Sequence, residues 1–313
     1  MAKQSSNTDV VYERQDSLKV VQLLGEARKQ QSSKTSGAKT VAVKQDSSNW
    51  MLFFARKLKG VPYVAHTLDR DTQRERLVVN LHELDCTTYV ETVLSLARCA
   101  AKGSTSFRDY CTELRNIRYI DGHVAYTSRQ HYFTIWMEEN QRQGIVSKVE
   151  GQSAANSSTS ANSSTSSKNT KTATWPFNAT QHLSVNYMTT HSSSYAMLKA
   201  HPEWLSDIRK MEQRMDGKSY VYIPLATLKA AQADSSKLKQ LRSIIHDGDI
   251  IVLLTNIKGL DTSHIGIAVW HADGLHMLNA SSVYHKVVED SDLLSTYLRK
   301  HPSKLGFRLA RPC

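Results

Sequence analysis

The sequence predicts an α+β protein, with helices first and an antiparallel sheet last. Three observations carry that expectation. Apolar residues recur at helical spacing in the first half, as Val90, Val93, Leu94 and Ala97 do. From Asp249 the pattern changes to β-rich runs, DIIVLLTN and HIGIAVWH, continued by LHMLNASS and HKVVED. The chain has 313 residues, 40% of them hydrophobic, enough to bury a substantial core in one large domain or two small ones.

Taken in order, residues 1–16 are polar and are expected to be disordered. Leu18, Val21, Leu24 and Ala27 then mark a short amphipathic helix that ends in the soluble run QQSSKTSGAK. A second helix is expected over residues 49–59, with Trp50, Phe53, Phe54 and Leu58 as its apolar stripe and Gly60 as its stop. VPYVAHTLD follows as an extended segment. In NLHELDCTTYVETVLSLARC, Asp85 is an N-cap candidate, which places Cys86 in the first turn of a buried helix. Residues 107–116 read as a further helix. RYIDGHVAYTSRQHYFTIWMEEN reads as a hairpin turning at Asp121-Gly122, then a helix holding Phe133, Trp136 and Met137.

Residues 152–174 are the clearest break in composition, dominated by Ser, Thr, Asn and Ala without apolar periodicity. They are expected to form a flexible surface insertion. The chemistry downstream argues for an excursion within a single domain over residues 17–313 rather than a linker. Asn156 and Asn162 open sequons there, which alone do not establish glycosylation. Short helices are expected over 195–199 and 205–215. The loop NIKGLDTS and the turn ADG then join the C-terminal strands into a meander.

The formal charge of +11 and pI near 9.4 make the chain strongly basic. Such a surface is drawn to polyanions, including acidic wall polymers. The cations are scattered, with no zinc-finger spacing or arginine-rich tract, so a solvated basic face is the expectation rather than a specific nucleic-acid groove. No stretch reaches the length of a transmembrane segment. No secretory signal is visible at Met1. The polar start fits a cytoplasmic chain and equally one that begins after a removed export signal. The cysteines, Cys86, Cys99, Cys111 and Cys313, fit no standard zinc spacing. Cys86 and Cys99 share one predicted helix, so a free nucleophile among bystander thiols is the simplest account.

The positive end of a helix favours thiolate, the nucleophilic form of cysteine. Cys86 therefore suggests a cysteine hydrolase, provided a histidine meets it. The segment alone equally fits a buried cysteine acting as a small apolar side chain. Among thirteen histidines, His264 stands out because it opens an apolar strand directly after a polar loop. Asn279 lies on the next strand. Counted from Asp273 in the turn, the two are nine and six residues away, so they meet if the turn is asymmetric. Asn279 can then accept from one imidazole nitrogen and leave the other for Cys86. The plainer alternatives are a histidine bonding its own loop and an asparagine satisfying a turn.

PYVAHTLD, ELDCTTYVE, SHIGIAVW and LNASS occur here in the order found in the NlpC type of papain-like bacterial cell-wall cysteine peptidases. The longer strings NLHELDCTTYVE, SRQHYF, IPL, GDIIVLLTN and GLDTSHIGIA resemble one branch, the N-acetylmuramoyl-L-alanine amidase-like family, formerly a domain of unknown function. The resemblance runs from about residue 17 to the C-terminus, interrupted by the Ser/Thr insertion. It implies a papain-like core: a catalytic Cys opening a helix that packs on an antiparallel sheet, with extra helices. It also implies Cys86 as nucleophile, His264 as base and Asn279 as the orienting residue, where the superfamily often has His. Tyr63 would line the cleft and bond the substrate near the scissile carbonyl, or simply pack in the core. Asp85 would cap the helix and shape the acyl-donor subsite, and Arg129 would take a substrate carboxylate.

The implied reaction is acyl transfer through a thioester, without cofactor or metal, on peptidoglycan or muropeptides. The implied bond is that between N-acetylmuramic acid and L-alanine; a cut within the stem peptide after γ-D-glutamate is the alternative. The resemblance implies a periplasmic or secreted protein, either a housekeeping enzyme or an effector aimed at a competitor's wall. A cell-wall-binding protein without catalysis is the alternative of another class, disfavoured by the retention of Cys, His and Asn together.

Overall fold

A computed structural model of the chain describes residues 10–35, 48–150 and 175–313. The insertion expected at 152–174, with both sequons, lies outside the described residues. The chain begins with β1 (Val10–Tyr12), α1 (Arg14–Thr35), α2 (Ser48–Lys57), β2 (Leu77–Val79), α3 (Cys86–Ala101), α4 (Phe107–Arg118), α5 (Phe133–Arg142) and β3 (Val146–Val149). It continues with β4 (Ala179–His182), α6 (Tyr187–Thr190), α7 (Ala196–Ala200), α8 (Leu205–Gln213), β5 (Ser219–Pro224), α9 (Leu225–Ala233) and α10 (Ser235–Ile244). The last third holds β6 (Ile250–Thr255), β7 (Thr262–Trp270), β8 (Leu275–Ser281), β9 (Lys286–Glu289), α11 (Leu294–Lys300) and β10 (Lys304–Pro312). The fold is α+β, with an antiparallel sheet in the order β4-β5-β10-β6-β7-β8-β9 and β3 pairing with β10.

The β6–β9 meander forms as the β-rich runs predict. Every residue of β6 is buried, because helices cover both faces of the sheet. Side chains alternate across a strand, so Ile250 and Val252 join the core formed with α1–α4. Ile251 and Leu253 face the opposite core, with Leu228 of α9, Leu241 of α10 and Leu298 of α11. α3 is the hub of the first layer and is continuously buried from Thr88 to Ala97. Its one buried acid, Glu91, is matched by Arg118 at 2.7 Å, which answers the cost of an unpaired buried charge.

The ordered chain starts before the expected boundary at residue 17. Val10–Tyr12 pair in parallel with Leu77–Val79, and Asp16 is buried, accepting from the Leu81 amide at 2.8 Å. The buried stripe of α1 is Val20, Leu23, Leu24 and Ala27; Leu18 and Val21 are exposed. The apolar run tolerates two faces one residue apart, and packing against α3 and α4 selects one. The chain reverses at Asp121-Gly122 with φ of 51° and 66°. It closes only one bridge, between Tyr119 and Arg129, in place of the expected hairpin strands. VPYVAHTLD is extended only at its start and ends in a helical turn over Thr67–Asp69.

Candidate active site

The start of α3 is fixed by a reciprocal capping box. Asp85 Oδ1 accepts from the Thr88 amide at 2.8 Å, and Thr88 Oγ1 accepts from the Asp85 amide at 2.9 Å. Cys86 is therefore the first helical residue, as its position after an N-cap predicts, and its side chain is partly accessible. Burial, reinforced by the Asp85 charge, pushes the thiol up to about 12. Hydrogen bonds from the Ile265 backbone and from Thr87 pull the other way without offsetting it. The thiol, not the thiolate, is thus the resting form, contrary to the expectation from the helix dipole alone.

The Ile265 hydrogen bond sets Cys86 against β7 at the residue beside His264. His264 lies at a β-bulge: Leu253 pairs with His264 and Leu254 with Thr262, which leaves Ser263 over. Pairing of Ile267 with Leu278 places Gly266 opposite Asn279 and makes His264 and Asn279 diagonal neighbours. His264 Nε2 is 3.2 Å from Asn279 Oδ1. A carboxamide oxygen only accepts, so Nε2 carries the proton and Nδ1 keeps a lone pair. Burial first, then the charge of Lys304, lowers His264 to about 4, so the imidazole is neutral at ordinary pH. Gly266 makes the close strand approach possible, since a Cβ there would lie 2.6 Å from Met277 Sδ and 2.9 Å from the Leu278 carbonyl oxygen.

Tyr63 arrives through a backbone clamp. Its amide donates to the His285 carbonyl at 3.0 Å, and it bridges Leu84, next to Asp85. Its phenol is pushed up to about 12, chiefly by burial, with the Asp85 carboxylate adding to the effect. Arg129 is not placed as expected for a residue that grips substrate. Its side chain is 9% exposed, bonded to Asp69 at 2.5 Å, 3.4 Å from Glu75 and stacked over Tyr126. Two carboxylates already claim the guanidinium, so its place is that of a structural tie.

Sequence reasoning passed over three neighbours. Tyr297 of α11 stacks on His264 with ring centroids 6.3 Å apart. Lys304 opens β10 and donates to Ser263 Oγ at 3.0 Å, holding the bulged residue. Asp261 is fully buried, accepts from the Thr134 amide at 2.8 Å and so ties the start of α5 to the approach of β7. The LDTSH string held a signal for Asp261, because an acid before Thr is a turn former. No local pattern points to Tyr297 or Lys304.

Comparison with known proteins agrees with this arrangement of elements. The sequence profile of the N-acetylmuramoyl-L-alanine amidase-like family matches residues 53–307. An N-acetylmuramoyl-L-alanine amidase from Bacteroides uniformis is 34% identical, covering 85% of this chain and 98% of its own, with a TM-score of 0.70. A Bacteroides fragilis protein, provisionally described as a xylanase, is 36% identical over 83% of this chain and 99% of its own, with a TM-score of 0.68. A Legionella pneumophila protein shares the fold at 21% identity, covering 93% of this chain and 94% of its own, with a TM-score of 0.61. No functionally curated protein is similar enough to match. The chain belongs to the N-acetylmuramoyl-L-alanine amidase-like family.

Proposed function

We propose that this protein is a peptidoglycan amidohydrolase of the papain-like NlpC type. In this reading Cys86, His264 and Asn279 are its catalytic triad. The observation that carries the proposal is the His264–Asn279 hydrogen bond, with the Cys86 thiol against the next residue of the same strand. A neutral thiol beside a neutral imidazole suits general-base activation rather than a standing ion pair. His264 Nδ1 takes the thiol proton as Sγ attacks the amide carbonyl. The imidazolium then protonates the leaving amine, and the thioester forms as the C–N bond breaks. Water, activated by the same Nδ1, hydrolyses the thioester and restores the thiol. The Cys86 amide, in the first turn of α3 and outside the Asp85–Thr88 cap, lacks an intrahelical carbonyl partner and can hold the oxyanion.

Tyr63 lines this cleft near the scissile carbonyl, and Asp85 caps the helix start and shapes the acyl-donor subsite. The substrate favoured by family membership is the amide between N-acetylmuramic acid and L-alanine. Work on such a polymer belongs in the periplasm or outside the cell, and the net charge of +11 assists binding to anionic wall material. A glycosidase, as one relative's description suggests for that relative, needs a pair of facing carboxylates. The acid beside Cys86 is Asp85, already engaged in the cap.

The test is to incubate the protein and its Cys86→Ala variant with purified peptidoglycan and identify released fragments by mass spectrometry. Free stem peptides beginning with L-alanine, absent from the variant, are expected. Cysteine-dependent fragments cut inside the stem would move the assignment to an endopeptidase. Release that survives in Cys86→Ala would overturn the mechanism. Wall binding without any release would identify a non-catalytic binder.

A further inference from the structure

A second cluster of ligand-type side chains sits at the β7–β8 turn, at the opposite end of β7 from His264. His271 follows β7, Asp273 lies in the turn and His276 is on β8. One ligand atom from each lies within 4.8 Å of the other two. His276 is only 1% exposed, and both its nitrogens face oxygens. Nδ1 is 3.0 Å from the Asp290 backbone carbonyl, and Nε2 is 3.0 Å from Asp273 Oδ1. A carbonyl can only accept, so Nδ1 carries the proton. A neutral His276 then turns its Nε2 lone pair onto a carboxylate oxygen, two acceptors face to face. A cation resolves the conflict: a second proton on the ring, or a metal ion shared by both acceptors.

His271 supplies a third ligand atom. Its ring centroid is 4.3 Å from that of His276, beside the His276–Asp273 pair. Its Nε2 is 2.9 Å from Glu289 Oε1, and Glu289 also pairs with Arg56 and Lys59, which favours the carboxylate. Glu289 therefore accepts the Nε2–H of His271 and leaves Nδ1 with a lone pair. Each histidine gives one N–H to an outer oxygen, a carboxylate or a carbonyl, and keeps one nitrogen open. Metal-ligating imidazoles are held in this way.

We propose that His271, Asp273 and His276 form a binding site for a divalent transition-metal ion of the zinc class. Two imidazoles and one carboxylate suit such an ion. The Asp273 side chain is 65% exposed, so a fourth position is open to water. The site lies seven residues along β7 from His264, roughly 23 Å away on an extended strand. The ion therefore takes no part in amide chemistry. It staples the hairpin whose register sets Asn279 diagonal to His264.

The test uses the full chain carrying Cys86→Ala, which removes the accessible active-site thiol as a competing ligand. Co²⁺ is titrated by visible absorbance, and Zn²⁺ by calorimetry and thermal melting. One saturable equivalent is expected, with ligand-field bands and a raised Tm. His271→Gln and Asp273→Asn are expected to weaken binding at least tenfold and to abolish the Tm rise. Glu289→Gln, an outer partner, is expected to cost about 10- to 100-fold in affinity. Circular dichroism confirms that each variant is folded; His276, being buried, is left in place. Absence of a saturable equivalent, or affinity unchanged in both ligand variants, would overturn the site.

Discussion

Replacing Asn279 by Ala separates a catalytic contact from a structural one. The substitution removes the acceptor 3.2 Å from His264 Nε2. Leaving that buried N–H without a partner costs about 1–3 kcal/mol. Among the described residues, however, Asn279 Nδ2 is itself buried with no partner. Deleting it returns about 1–3 kcal/mol of the same kind of penalty. The two effects nearly cancel, so folding stability is expected to change by less than about 1 kcal/mol. The strengthening of this bond during catalysis has no such offset. In the transition state His264 is an imidazolium and its bond to Oδ1 becomes charge-assisted, about 1–1.5 kcal/mol stronger than the neutral bond of the free enzyme, while the orphaned Nδ2 costs the same throughout. The expected loss in kcat/KM is therefore about 5- to 15-fold. Fragment release from peptidoglycan gives the rate, and urea unfolding gives the stability. Asn279→Asp, which keeps an acceptor in place, should recover most of the rate. Activity within about twofold of the parent in a folded Ala variant would refute the orienting role. A rate loss matched by an equal loss of stability would refute the cancellation.

Other outcomes follow from the same geometry. Because burial and Asp85 hold the Cys86 thiol high, its alkylation by iodoacetamide should keep rising with pH beyond about pH 9, and a plateau near neutrality would reveal a preformed ion pair. Asp85→Asn should speed alkylation at neutral pH by removing the adjacent charge, while loss of the cap in Asp85→Ala costs about 1–2 kcal/mol in urea. Gly266→Ala places a Cβ against Met277 and the Leu278 carbonyl and should destabilise by about 1–3 kcal/mol, with lowered activity as β8 shifts. His264 and His131 are lowered by burial to about 4 and about 3, below the unfolded histidine value. The unfolded chain then binds more protons, so stability is full above about pH 6.5 and falls, by a few kcal/mol in all, as pH drops through the folded values. The urea midpoint should therefore be lower at about pH 4.5 than at about pH 7, and a flat profile would contradict the burial of these rings.

The elements that define this molecule by short-range pattern were legible in its sequence. A capping acid before Cys86, helical spacing through Ala97 and four β-rich runs after Asp249 act within a few residues, and α3 and the β6–β9 meander form accordingly. β10 carries a short alternation at Leu305, Phe307 and Leu309, but its cations Arg308 and Arg311 had no visible partners in the sequence. In the fold Arg308 lies over the Tyr220 ring and donates to Thr134 at 2.6 Å, while Arg311 pairs with Asp249 at 2.8 Å. Those partners are distant in the chain, so no local pattern announces them.

The candidate site divides in the same way. The sequence by itself determined which residue types were available: a thiol at a helix start, a histidine at a strand start and an asparagine on the following strand. It left their meeting conditional on an asymmetric turn, because register depends on the turn and on packing across the whole sheet. Only the tertiary structure decided that Ile267 pairs with Leu278, which brings His264 to Asn279. Only the tertiary structure decided that Arg129 would be claimed by Asp69 and Glu75, which lie 60 and 54 positions before it. The protonation states were likewise beyond sequence reach. A thiol at a helix start reads as a thiolate until the fold buries it beside Asp85, and burial is a property of the assembled layers rather than of any segment.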